Sequence, residues 1–357
     1  MKPFHYQALP LDVYFGKGRV GDLSEILNEH GYHRVLVMTT PEQEESGQKL
    51  AAALGSIVVG VYPHAVMHVP IDVAEKATAY VREHQVDCCL ALGGGSTIGL
   101  AKAVALTSGT PIAAVPTTYA GSEMTSVYGL TDTDKGRKTT GKDPRVQPKV
   151  VVYDPELTFT LPPQISAASG MNAMAHAVEA LYAENKNPII SMMATESIRA
   201  LKNALPEIVR NPKDEAAREQ AFYGSWLAGI CLGSVGMAVH HKICHTLGGT
   251  FNLPHAQAHA ITLPYSVQYN RNADEEAMKR LADALDVDNP QECGLALYRL
   301  NQSLGIPMSL KEIGLPEHGA AEVAKIVCDS PYYNPRPYVY EELFGLLQKA
   351  YLGQPPA

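Results

Sequence analysis

The feature that most constrains the fold is a change of hydrophobic period near residue 160. Before it, short β-branched runs alternate with amphipathic stretches. His33–Thr40, Ile57–Tyr62, Asp87–Leu92 and Pro111–Val115 read as buried strands, with helices expected over Glu42–Leu54, Val73–His84 and Ile98–Thr107. Buried strands joined by helices of that length pair in parallel through right-handed crossovers. Tyr119–Thr133 reads as a polar loop, Asp134–Arg137 as a turn, and Val150–Tyr153 as a last strand stopped by Asp154-Pro155. From Ile165 the period is helical: Ile165–Glu184, Pro188–Val209, Glu215–Gly249, Pro254–Tyr269, Glu275–Leu285, and two or three shorter helices to Leu352. The expected fold class is an α/β N-terminal parallel-sheet domain (residues 1–160) followed by an all-α C-terminal domain (161–357), with the active site in the cleft between them. A chain of 357 residues is long enough for two cores.

Two stretches carry chemistry. The third strand runs into Gly93-Gly94-Gly95-Ser96-Thr97, and the next ends at Thr117-Thr118. Glycines between a strand and a helix let backbone amides approach a phosphate, which the helix N-terminus also favours. The run is neither G-x-G-x-x-G nor a Walker motif, and a tight strand-to-helix turn would need glycine without any ligand. The second stretch is His240–His259, which holds five of the 13 histidines. His241 and His245 stand one helical turn apart in an apolar run. Pro254 reads as the first residue of a new helix, whose positive end would keep His255 neutral. Asn172 and His176 repeat the one-turn spacing in Gly170-Met171-Asn172-Ala173-Met174-Ala175-His176-Ala177-Val178-Glu179. A lone buried histidine is most often a satisfied core residue; several that converge point to a site.

A formal charge of -8 with no basic run argues against nucleic acid. The longest apolar run, Trp226–Val239, is broken by Gly229, Gly233 and Gly236, so no membrane span is expected. Six scattered cysteines without a C-x-x-C and an N-terminus without an apolar signal core lead us to expect a reducing, cytoplasmic setting.

The motifs GMNAMAHAVEAL, HHKICHTLGGTFNLPHAQAHA, GGGST, PTT and Tyr153-Asp154-Pro155-Glu156-Leu157 together resemble the group III, or iron-type, alcohol dehydrogenase family. The likeness covers nearly the whole chain. It implies the dehydroquinate-synthase-like fold, in which a Rossmann-like dinucleotide-binding α/β domain precedes a helical catalytic domain. It also implies Fe or Zn on one aspartate and three histidines, which carry over to His176, His241 and His255. The aspartate position is Asn172 here, a neutral and weak ligand, so no metal is favoured and a divalent ion is not expected to be required. A second departure is Gly99-Leu100-Ala101-Lys102, which lacks the family's aspartate before Ala-Ala-Lys.

These departures, with His240-His241-Lys242 and Met67-His68-Val69-Pro70, resemble the branch that reduces an enone dicarboxylate. The implied reaction is NADH- or NADPH-dependent reduction of the C=C of maleylacetate (4-oxohex-2-enedioate), with 2-chloromaleylacetate as a further substrate, to 3-oxoadipate in bacterial aromatic breakdown. Hydride at the carbon β to the ketone leaves an enolate, which donors stabilise and a general acid protonates. The implied cofactor residues are Gly93, Gly94, Gly95, Ser96, Thr97, Thr117, Thr118 and Lys138. Thr39 stands where an acid often holds the ribose hydroxyls, so use of both cofactors is expected. The implied catalytic residues are His241, His245, His176 and His255. Lys242, Lys142 and Arg336 are candidates for the substrate carboxylates. A homodimer is expected, with a small-molecule dicarboxylate as the partner and neither nucleic acid nor membrane. The rival readings are a metal-dependent alcohol or hydroxyacid dehydrogenase of the same family and a nucleotide-binding protein without catalysis.

Overall fold

Residues 4–132 and 137–356 are described by a computed structural model, the side chains of residues 137 and 138 excepted. The chain divides into two compact units, one of residues 9–161 and the other of residues 162–356 together with residues 4–8. The first unit carries β1 (Asp12–Phe15), α1 (Leu23–Glu29), β2 (Val35–Met38), α2 (Glu44–Leu54), β3 (Val58–Tyr62), α3 (Ile71–Glu83), β4 (Cys88–Gly93), α4 (Gly95–Ser108) and β5 (Ile112–Pro116). It continues with β6 (Val127–Asp132), β7 (Arg137–Lys142) and β8 (Val150–Tyr153). Six of these strands form one parallel sheet in the order β1-β8-β5-β4-β2-β3.

The sheet is covered on both faces, and so its strands are continuous apolar runs rather than alternating ones. Leu36, Met38, Cys89 and Ala91 enter one core, while Val35, Val37, Cys88 and Leu90 enter the other. Each such aliphatic side chain taken from water contributes roughly 1.5–3 kcal/mol. From β2 the chain moves outward to β3, and from β4 it moves the opposite way to β5. The carboxyl ends of β2 and β4 therefore flank a topological switch point, where such sheets bind ligands.

The second unit is helical: α5 (Pro163–Leu181), α6 (Pro188–Arg210), α7 (Glu215–Ser234), α8 (Val239–Phe251), α9 (His255–Asn270), α10 (Glu275–Leu285), α11 (Cys293–Ser303), α12 (Gly319–Asp329) and α13 (Tyr340–Leu352). Among the described residues no single helix is long and apolar enough to cross a membrane.

Several expectations need correction. Asp12–Phe15 is a strand that sequence pattern missed, added in parallel to β8. Tyr119–Thr133 is not loop throughout, because β6 pairs antiparallel with β7; the expected turn at Asp134–Arg137 lies largely outside the described residues. Glu215–Gly249 is not one helix. It breaks after Ser234, and α7 and α8 bend by 94°. The cause is tertiary capture of freed amides: Gly236 N–H goes to Asn185 Oδ1 (2.8 Å) and Ala238 N–H to Glu179 (2.8 Å). Pro254 caps α9 from outside, and His255 is the first helical residue.

Candidate active site

At the switch point, only one glycine of the run needs its backbone freedom. Gly93 has φ +154, and a Cβ there would collide with the Thr97 hydroxyl. Gly94 has φ −95, so no positive φ is required of it. A Cβ on Gly94 would instead come within 2.8 Å of Thr118 Oγ1, so its hydrogen keeps a cradle open. Gly95 is exposed, and Ser96 is half-buried in the first turn of α4. No side chain caps α4, and its amides remain directed outward, a feature suited to an anion. Gln43, which sequence pattern did not single out, donates from Nε2 to Thr117 Oγ1 (3.1 Å). Thr97 is fully buried beneath the loop, and Thr118 is half-buried.

Thr39 is corrected. It is 0% exposed and packs under Gly47, leaving Thr40 as the partly exposed member of the pair. The side chain of Lys138 lies outside the described residues. Behind α4, the buried Lys102 ammonium donates to Ser122 O (2.7 Å), Thr125 Oγ1 (2.8 Å) and Val127 O (2.9 Å), and so ties the helix to the segment after β5. Burial lowers its pKa to about 7, opposed by the nearby Glu123 carboxylate.

In the helical unit, a buried chain of side chains runs from α8 to α5. Glu179, one turn beyond His176, is 0% exposed and serves as the cap that α8 lacks locally. It accepts from the N–H groups of Ala238 (2.8 Å), His240 (2.7 Å) and His241 (3.3 Å), and lies 2.6 Å from His241 Nδ1. His241 Nε2 then meets His176 Nδ1 at 2.8 Å, and His176 Nε2 meets the Asn172 amide nitrogen at 3.4 Å. Four N–H contacts on one carboxyl fit its ionised, acceptor-only form. Burial raises the Glu179 carboxyl and lowers the His241 imidazole; the backbone donors oppose the first shift, and we take His241 as neutral.

The proton positions follow in order from Glu179. His241 carries its hydrogen on Nδ1, so its Nε2 accepts from His176 Nδ1–H. His176 Nε2 is then bare and accepts from the Asn172 amide. Asn172 Oδ1 is left buried without a partner among the described residues. An aspartate at 172 would set acceptor against acceptor at His176 Nε2, so the amide matches this chain of tautomers.

His245 lies on the same face of α8 as His241, with ring centroids 5.9 Å apart, but it is exposed. Its Nδ1 lies 3.2 Å from the hydroxyl of Tyr332, and the Lys242 ammonium sits 5.3 Å from the Tyr332 ring centre. Partial burial lowers the Lys242 pKa. An imidazole, a phenol and a cation thus share one accessible patch beside the buried chain. Lys142, by contrast, is exposed on β7 of the first unit. Arg336 is corrected as a free cation: it pairs with Glu342 (2.7 Å), donates to Tyr269 O (2.9 Å) and stacks on the Tyr269 ring at 4.2 Å.

The metal set implied by resemblance does not fit these residues. His176 Nδ1 and His241 Nε2 share one hydrogen between them at 2.8 Å, and the remaining ring nitrogens are turned to Asn172 and Glu179. His255 is exposed and packs against the His259 ring, with centroids 4.3 Å apart and planes tilted by 51°. Among the described residues the convergent group of possible ligands is a different one: His240, Cys244 and His259. Glu179, His240, His259 and Tyr332 were not expected as site residues. Glu179 left a local signal in its one-turn spacing from His176, and His240 and His259 lie within the histidine-rich stretch, whereas Tyr332 left none.

Comparison with known proteins agrees over the full length. Residues 10–155 match the profile of the iron-containing alcohol dehydrogenases, and residues 166–351 match the C-terminal profile of the Fe-containing alcohol dehydrogenase family. The maleylacetate reductase of Sphingobium indicum is 51% identical over 353 residues, covering 99% of each chain. The crystal structure of maleylacetate reductase from Agrobacterium tumefaciens superposes with a TM-score of 0.95 at 44% identity, covering 100% of each chain. At greater distance, sulfoacetaldehyde reductase from Bifidobacterium kashiwanohense, solved in complex with NAD+, gives a TM-score of 0.90 at 26% identity over 98% of this chain and 99% of that one.

Proposed function

The chain belongs to the iron-containing alcohol dehydrogenase family, and within it we infer that it is an oxidoreductase that reduces the enone C=C of maleylacetate with NADH or NADPH. The observation that carries the mechanism is the hydrogen-bonded chain from Glu179 through His241 and His176 to Asn172. It occupies the ring nitrogens that a catalytic metal would need and replaces the one anionic ligand by an amide. Reduction accordingly proceeds without a metal at His176, His241 and His255.

When bound, the reduced nicotinamide supplies the hydride. Gly94, Gly95 and Ser96 hold the dinucleotide phosphates at the N-terminus of α4, with Thr118 and Gln43 beside them. On the helical unit, Lys242 offers charge to a substrate carboxylate or to the developing enolate oxygen, and the Tyr332 hydroxyl offers a hydrogen bond. His245 delivers the proton to the carbon next to the ketone, because it is the accessible imidazole of α8 and shares its patch with Lys242 and Tyr332; the protons of His241 and His176 are committed inside the buried chain. Glu179 acts through His241 and is a positioning residue. Thr40, the partly exposed member of the pair at the end of β2, is uncharged and does not repel a 2′-phosphate, which supports use of both cofactors.

A substrate panel tests the reading. Maleylacetate and 2-chloromaleylacetate should drive oxidation of NADH or NADPH, while short aldehydes and alcohols should not exchange hydride at comparable kcat/KM. Preference for an aldehyde or alcohol would replace this function by a dehydrogenase of the same family.

A further inference from the structure

Beside the proton chain lies a second cluster that the mechanism does not use. His240 and Cys244 stand one turn apart on α8, and His259 faces them from α9; their exposures are 0%, 1% and 0%. His240 Nε2 lies 3.0 Å from His259 Nδ1 and 3.7 Å from Cys244 Sγ. One ligand atom from each of the three lies within 4.8 Å of the others.

The surroundings define which atoms can give a lone pair. Ser266 Oγ donates to Thr262 O (3.3 Å), so it accepts from His240 Nδ1–H at 3.2 Å. That orients the ring and leaves Nε2 bare, as an outer partner does for a metal-bound histidine. Two hydrogens, from Cys244 S–H and His259 N–H, then compete for that one lone pair. His259 Nε2 has no partner among the described residues, so nothing fixes the tautomer of His259. The ring can carry its proton on Nε2 and present Nδ1.

We propose that His240 Nε2, Cys244 Sγ and His259 Nδ1 form a buried structural site for a borderline-soft divalent cation, Zn2+ in the first instance, which ties α8 to α9. In tetrahedral zinc, bonds of roughly 2.0–2.1 Å to nitrogen and about 2.3 Å to sulfur set ligand atoms roughly 3.3 Å (N to N) and about 3.6 Å (N to S) apart. The observed 3.0 and 3.7 Å need only a few tenths of an ångström of adjustment, and the third pair, Cys244 to His259, lies within 4.8 Å and closes toward roughly 3.6 Å on binding. The Thr262 hydroxyl, hydrogen-bonded to the Cys244 thiol, offers an oxygen for the fourth position. Binding replaces the S–H bond by an S–Zn bond, releases one proton to solvent, and moves the His259 proton from Nδ1 to Nε2; nothing is oxidised or reduced. The site shares no ligand with the set His176, His241 and His255, and its role is to hold the helix that bears His241 and His245.

The full-length protein produced in medium with Co2+ as the sole added transition metal provides the test. The wild type should hold one cobalt per chain and show a thiolate-to-cobalt charge-transfer band. Cys244→Ser should lose the band and weaken cobalt binding by more than the roughly 10- to 100-fold that loss of an outer partner of a ligand costs, because the anionic ligand itself is gone, and His259→Gln should also lower the stoichiometry. His176→Ala should retain both band and metal. Zinc-edge X-ray absorption of the zinc-loaded wild type, expected to give one sulfur in the first shell, serves if either variant fails to fold. Absence of stoichiometric metal, a shell of nitrogen and oxygen alone, or metal that survives Cys244→Ser but not His176→Ala would overturn the proposal.

Discussion

The glycine cradle and the histidine chain do their work by opposite means. At the end of β4 the functional groups are backbone amides, and the side chains contribute chiefly by being small: Gly94 matters because a Cβ would meet Thr118. On α8 the functional groups are side chains, and each is defined by the next, from Glu179 to His241 to His176 to Asn172. A cradle of amides tolerates change around it as long as the space stays open. A chain of tautomers does not, since altering one proton position alters every position beyond it. The two regions therefore differ in how far a single substitution should reach.

The largest effect is expected at Glu179. Glu179→Gln keeps the shape but sets an NH2 group among donors, and removing one partner from a buried charged network costs about 3–5 kcal/mol of stability. In the folded fraction kcat should fall by up to the roughly 100-fold that loss of the proton donor itself costs, because α8, which carries His245, loses its cap, with little change in NADH affinity. A kcat within a few-fold of wild type would mean that the chain does not govern catalysis.

His245→Gln comes next. Loss of the proton donor should lower kcat roughly 100-fold and leave thermal stability nearly unchanged, because the ring is exposed. If kcat holds while KM rises, His245 binds substrate and another group supplies the proton.

Gly94→Val probes the other region. Overpacking against Thr118 costs about 1–3 kcal/mol, which should weaken NADH binding roughly 5- to 100-fold without unfolding the helical unit. Unchanged affinity in a folded variant would remove the phosphates from this loop.

The smallest effect belongs to Tyr332→Phe. Deleting one hydroxyl that contacts an exposed imidazole should lower kcat/KM for maleylacetate about fivefold, the equivalent of a single net hydrogen bond of about 1 kcal/mol. A far larger loss would make the phenol itself the acid.

The same contrast explains what could be read from the sequence. Strands β2 to β5, the glycine turn and helices such as α6 and α10 were legible because apolar period and Gly or Pro punctuation are local signals. The break between α7 and α8 was not, since Asn185 and Glu179 decide it from far along the chain. The β6–β7 hairpin was missed because small polar residues there resemble loop. Within the site, the spacing of His176, His241 and His245 was visible, while their protonation was not, because it depends on contacts between α5 and α8. Thr39 and Arg336 were misjudged for a related reason. Position in a motif says nothing of burial under Gly47 or of charge already paired with Glu342. Tyr332 carries no local pattern at all, and His259, though one of the five histidines of the stretch, shows no sign of its pairing with His240.

We propose that a hydrogen-bonded chain, and not a metal on His176, His241 and His255, organises the reduction. Maleylacetate-dependent NADH oxidation by the wild type and by Cys244→Ser, measured before and after exhaustive EDTA treatment with metal content followed in the same samples, separates the two. In Cys244→Ser, which lacks the thiolate of the buried cluster between α8 and α9, the rate should be the same after chelation and should not rise when Zn2+ or Fe2+ is added back. A rate that falls on chelation in that variant and returns with stoichiometric Zn2+ or Fe2+ would make His176, His241 and His255 metal ligands.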